Sequence, residues 1–155
     1  METLIHCIYS SAARQALDSS DLRALLDQAR KNNSACGVTG MLLYVDQSFF
    51  QVLEGDEAAV DAVYERIKLD SRHHKLTRII REPISRRAFG QWTMGFAQMS
   101  EQDLANLAGV NDFFGKNSII STIDSGRAKK LLSVFAAGRW RAKISGSARH
   151  ARASP

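Results

Sequence analysis

Several things are scarce in this chain. Its 155 residues include only two prolines and two cysteines. No apolar run approaches the roughly 20 residues that a membrane-spanning helix needs. The opening stretch METLIHCIYSS lacks a basic segment followed by a long apolar one, so no secretory leader is expected. Cys7 and Cys36 form no metal-type pair, which fits free thiols in a cytoplasmic protein. Acidic residues run out towards the C-terminus. None follows Asp124, whereas eight of the 21 Lys and Arg do; the remaining 13 basic residues face 16 acidic ones, a net of −3 over residues 1–124. A mildly acidic body therefore carries a basic C-terminal segment. That asymmetry allows an anionic partner, protein or nucleic acid. A solvated helix face with a frayed tail is the simpler account.

Familiar catalytic motifs are also missing. The stretch GVTG lacks the Lys-Ser/Thr that would follow in a phosphate-binding loop. There is no GxSxG. His73 and His74 are adjacent, so their side chains diverge rather than converge on a metal, and no metal site is expected. Carboxylates are scattered, with no evident acid/base pair.

What is present is enough for one domain with an appendage. The chain is 45% hydrophobic and 24% charged, ordinary for a folded protein with a real core. Residues 3–10, TLIHCIYS, alternate like a strand that Tyr9 ends. Ser19 or Ser20 then caps a helix, with Leu22, Leu25, Leu26 and Ala29 at helical spacing. Asn32 and Asn33 are its expected C-terminal residues, because Asn tolerates left-handed backbone. VTGMLLYV and SFFQVLEG, separated by Asp46-Gln47, read as a hairpin. Asp56 caps a second helix whose stripe is Val60, Val63, Tyr64 and Ile67. LTRIIREPI and QWTMGFAQ supply strands four and five. The order β-α-β-β-α-β-β predicts an α+β, ferredoxin-like sandwich, with both helices on one face of a mixed sheet. Ser100 caps a short helix over EQDLANLAG. Residues 124–141 read as a longer helix that can cover the other face. The expected division is 1–99 for the main domain, 100–145 for a C-terminal helical segment, and 146–155 for a basic disordered tail.

A polar set remains on these apolar elements. In SFFQVLEG the alternation places Gln51 on one strand face with Phe49 and Leu53. An unpaired amide buried there costs about 1–3 kcal/mol, so Gln51 needs a partner. Tyr9, Asn32 and Asn33 lie at element ends. Arg66 and Asp70, four apart, share one face of the second helix. Each has a plain explanation: a core tyrosine, a helix end, a surface ion pair worth little. Trp92 and Met94, on one face of the fifth strand, read as core filler.

Taken together the blocks resemble the BLUF family, the flavin-using blue-light sensors. The resemblance runs from about residue 3 to residue 98. It rests on LIHCIYSS, KNNSACGVTGMLLY, FFQVLEG, VYERIKLDSRHH and REPISRRAFGQWTMGF, in the family's order and spacing, with no departure among the core residues. It implies that Tyr9 donates an electron to the excited flavin and that Gln51 lies between that hydroxyl and the ring. Asn33 would bond the ring's polar edge, with Asn32 also contacting the cofactor. Arg66 and Asp70 would contact or frame the flavin, and Arg72 and His73 would lie near the ring or its side chain. Trp92 and Met94 would be the pair that exchanges position on signalling. FAD is the family's usual flavin, with FMN and riboflavin as alternatives.

The expected protein is a short, non-enzymatic photoreceptor. Light would alter contact with a downstream signalling protein through the C-terminal helices, and the chain would be a homo-oligomer. No output enzyme is expected in the 55 residues after residue 100. Two rivals come from other classes. One is an acylphosphatase-like hydrolase, which would need a loop of backbone N–H groups and an Arg at the first strand. The other is a nucleic-acid or anion-binding module using the basic segment; no aromatic stacking pattern supports it in the body.

Overall fold

The computed structural model describes residues 3–45, 47–90, 93–99, 128, 129 and 132. Seven elements follow in the order β1 (Leu4–Ala13), α1 (Ser19–Cys36), β2 (Thr39–Val45), β3 (Ser48–Asp56), α2 (Glu57–Lys68), β4 (His73–Pro83) and β5 (Gly95–Met99). The strands form one sheet in the order β4-β1-β3-β2-β5. All neighbours are antiparallel except β2 and β5, which are parallel. This is the expected ferredoxin-like α+β arrangement.

The two faces of the sheet follow from strand alternation. Ile5, Cys7 and Tyr9 of β1, Leu42 and Tyr44 of β2, Phe49 and Leu53 of β3, and Phe96 of β5 share a core with Leu22 and Leu26 of α1 and Val60, Val63 and Tyr64 of α2. Both helices therefore lie on this face. The opposite face is also buried, at Ile8, Leu43, Phe50 and Val52. On that side Ala128 is fully buried, and Lys129 Nζ lies 3.1 Å from Glu82 Oε1 of β4. Of the helix expected over 124–141, Ala128, Lys129 and Leu132 are described, and they are helical. The short helix after Ser100 and the tail 146–155 lie outside the described residues.

Several boundaries differ from expectation for local reasons. Asp18, not Ser19 or Ser20, caps α1. Its carboxylate accepts from Asp21 N at 2.8 Å, and the Asp21 carboxylate accepts from Asp18 N at 3.2 Å, a reciprocal pair. Asn32 and Asn33 do not end the helix. It continues to Cys36 and stops at Gly37, which takes the left-handed conformation at φ 73° and donates its N–H to Asn33 O. Asp56 precedes α2 but makes no side-chain cap. Strand one runs past Tyr9 to Ala13, strand four starts at His73, and strand five starts at Gly95. Gly40 is required by close approach: a Cβ there would lie 1.8 Å from Val52 O.

Candidate functional site

β1 and β3 pair so that Tyr9 stands directly opposite Gln51, and β2 places Leu42 opposite Gln51 on its other side. These side chains floor a cleft of about 190 Å³ between α1 and α2. Leu25, Ala29, Val63, Ile67 and Phe49 make it mainly apolar. All eight residues expected at a cofactor site line it: Tyr9, Asn32, Asn33, Gln51, Arg66, Asp70, Arg72 and His73. Their convergence comes from the topology. α1 supplies the two asparagines, adjacent strands supply Tyr9 and Gln51, α2 supplies Arg66, the α2–β4 connection supplies Asp70 and Arg72, and β4 opens with His73.

At the floor the polar groups form a chain. Tyr9 O–H donates to Gln51 Oε1, and Gln51 Nε2 donates to Met94 Sδ at 3.3 Å. Both ends of the amide are thus engaged, one by a phenol and one by a weak thioether acceptor. Tyr9 is 3% exposed, and that burial pushes its phenol well above its ordinary range. It is held protonated. Tyr64 meets the Tyr9 ring edge-on at 5.7 Å between centroids, and the Arg78 guanidinium lies 4.7 Å above the Tyr64 ring. Asn33 Nδ2 donates to Thr93 O at 3.0 Å, which fixes the sense of that amide beside the cleft.

The rim differs from its sequence reading. Arg66 and Asp70 do not share a helix face, because α2 ends at Lys68. Asp70 turns to Arg72 instead, accepting from Arg72 N and Arg72 Nε, each at 2.9 Å. Those bonds hold the Asp70 carboxyl below the usual carboxylate range. Arg72 also donates to Gln28 Oε1 at 3.2 Å. Arg66 is exposed at the rim, and its side chain makes no hydrogen bond or ion pair among the described residues. His73 Nε2 bonds Ile67 O at 2.7 Å and Nδ1 meets Ser11 Oγ at 2.8 Å. A carbonyl cannot donate, so Nε2 carries the hydrogen. Trp92 lies outside the described residues. Met94 is fully buried and touches the amide itself.

Sequence reasoning missed Arg30, Gln28, Ser11 and Glu54. Arg30 and Asn33 are three apart on α1, so helical spacing alone could have grouped them. Glu54 lies in the same FFQVLEG stretch as Gln51 but on the opposite sheet face. Fully buried, it accepts from Ala88 N at 2.6 Å, Phe89 N at 2.9 Å and Thr39 Oγ1 at 3.1 Å.

The donor set fits a flavin. The cleft is smaller than the about 300–1,000 Å³ that encloses a drug-sized ligand, and suits a flat ring with its substituent left outside. Amide groups on an apolar floor match a ring with one polar edge, and the exposed Arg66 side chain on the lining suits an anionic substituent.

Comparison with known proteins agrees. The family described as "Sensors of blue-light using FAD" matches residues 4–95. Photoactivated adenylate cyclase subunit beta of Euglena longa is 34% identical over 111 residues, 71% of this chain but 13% of that protein. The chain thus spans about an eighth of the length of this curated relative. Among solved structures, the dark-state BLUF protein BlrB superposes with a TM-score of 0.71 at 30% identity, covering 89% of this chain and 98% of BlrB. BlsA in its ground state gives a TM-score of 0.75 at 26% identity over 86% of this chain and 87% of BlsA. These matches favour a light sensor over the hydrolase and the nucleic-acid module. The chain belongs to the BLUF family of flavin-binding blue-light sensors.

Proposed function

We propose that the cleft holds FAD, with the ring against Tyr9, Asn33 and Gln51 and the remainder passing out beside Arg66. Asn32, Asp70, Arg72 and His73 frame it. The observation that carries this reading is the doubly engaged Gln51 amide on the floor of an apolar cleft. When bound, the flavin supplies blue absorption and an electron acceptor. Tyr9 would give up the electron, with its hydroxyl proton following through Gln51 Oε1, the atom that already accepts from it, and the return of both would restore tyrosine and flavin while leaving the amide rearranged. Rotating or tautomerising the amide exchanges its donor and acceptor atoms. Release of Nε2 from Met94 costs little, because a thioether is a weak acceptor. β5, which Met94 directly precedes, then passes the change to the C-terminal segment, 100–145. Light biases a two-state element and creates no new one.

In this reading the chain is not an enzyme. It acts on a downstream protein partner, as a homo-oligomer in the cytoplasm. The likeness to BlrB, covering 98% of that chain, supports a sensor domain of the same kind. No helix among the described residues is long and apolar enough to cross a membrane. The test is optical. Purified protein should be yellow, with flavin bands that shift slightly to the red under blue light and recover in the dark, and the extracted flavin should be FAD. Colourless protein that also fails to take up added flavin overturns the reading.

A further inference from the structure

Arg30 was not among the expected site residues and does not line the cleft. Its Nε donates to Met94 O at 3.0 Å. One helical turn on, Asn33 Nδ2 donates to Thr93 O at 3.0 Å. A helix rises about 1.5 Å per residue, so donors three apart are displaced by about 4.5 Å. Thr93 and Met94 form a bend ahead of β5, so their consecutive carbonyls both face donors on α1. Both precede β5, whose ladder with β2 begins only at the Met41–Gly95 pair. Side chains of α1 therefore do here what the sheet does further along.

Met94 is held in two ways. Its carbonyl takes the guanidinium of Arg30, and its sulfur takes the amide of Gln51. The first is charge-assisted and roughly twice as strong as a neutral bond. The second ends on a weak acceptor. The stronger contact fixes the backbone, and the thioether follows it.

We propose that Arg30 is a positioning residue for the Gln51 amide. By fixing the Met94 carbonyl it keeps Met94 Sδ on Gln51 Nε2, and so sets how readily the amide turns and returns. This rests on Gln51 being the switching group. Asn33 shares the clamp but also lines the cleft, so Arg30 is the residue that separates clamping from cofactor binding.

The experiment compares Arg30→Gln and Arg30→Lys in the full chain. Methionine ¹³C-methyl spectra are recorded without flavin and with flavin in the dark, the Met94 signal being assigned by its loss in Met94→Leu. Dark recovery is then timed after a blue flash. Losing one charge-assisted bond should raise the population of a displaced Met94 methyl signal about tenfold, with and without flavin. Dark recovery should slow by a comparable factor while flavin affinity is retained. Arg30→Lys keeps a cationic donor and should restore most of both. An unmoved Met94 signal in Arg30→Gln, unchanged recovery, or a lysine variant no better than glutamine overturns the proposal. Lost thermal stability with Met94 in place marks a merely structural tie and overturns it too. Gln51→Leu is measured alongside. A persistent red shift there sinks the switch itself, whereas the flavin-free Met94 signal of Arg30→Gln still reports on the clamp.

Discussion

Gln51 and Glu54 lie three residues apart on β3, on opposite faces of the sheet, and both are buried, at 4% and 0% exposure. Their surroundings differ in kind. The Glu54 carboxylate collects two backbone N–H groups and a hydroxyl. Those partners only donate or are held by the fold, so the carboxylate has one sensible arrangement. Gln51 is held by a phenol, which can both donate and accept, and by a thioether, which accepts weakly. Turning the amide still leaves Nε2 a partner, because the phenol oxygen can accept from it. One strand thus carries a fixed polar anchor on one face and a reversible polar group on the other.

The largest effect should come from removing the anchor. Glu54→Ala leaves the N–H groups of Ala88 and Phe89 without their acceptor. It should lower unfolding free energy by about 3–5 kcal/mol, read from denaturant midpoints. A loss below about 1 kcal/mol would make the two sites alike and break the contrast.

Gln51→Leu should cost less stability and more function. The stability loss stays near 1–3 kcal/mol, because only the Tyr9 hydroxyl loses a buried acceptor. Flavin should still bind, and the light-induced red shift should vanish. Misfolding, or an intact shift, would place Gln51 with the structural residues. Tyr9→Phe extends the comparison: flavin bound, no shift.

The smallest effect belongs to the rim. Asp70 is held below its ordinary range by Arg72. Its stabilising share is therefore fully present above about pH 4, the ordinary carboxylate value, and is lost as pH falls through the lower folded value. Asp70→Asn should flatten the part of the stability–pH curve that lies below about pH 4. A curve that keeps its full slope would show that Asp70 is not linked. The pair is partly exposed, so the change should be modest.

Much of this was legible in the sequence, for physical reasons. Strand alternation put Gln51 on the face of Phe49 and Leu53, and helical spacing gave the stripes of α1 and α2. Those signals are local. The bounds of α1 were misjudged because neighbouring Ser and Asn residues can also supply the side-chain cap that Asp18 makes and the left-handed backbone that Gly37 takes. The Arg66–Asp70 pairing failed because the helix ends two residues too early. Glu54 and Arg30 were invisible because their partners lie 34 and 64 residues away. Nothing nearby in the chain marks either residue.

β5 has five residues, and β2 is its ladder neighbour in the sheet. Among the described residues β5 is an edge strand, which can open locally at less cost than the central strands, which must break two ladders. Its amides should therefore exchange with solvent before those of β1 or β3. The sheet is stiff in the middle and yielding at the margin next to Met94, so a small disturbance at the amide is met first by the element least able to resist it.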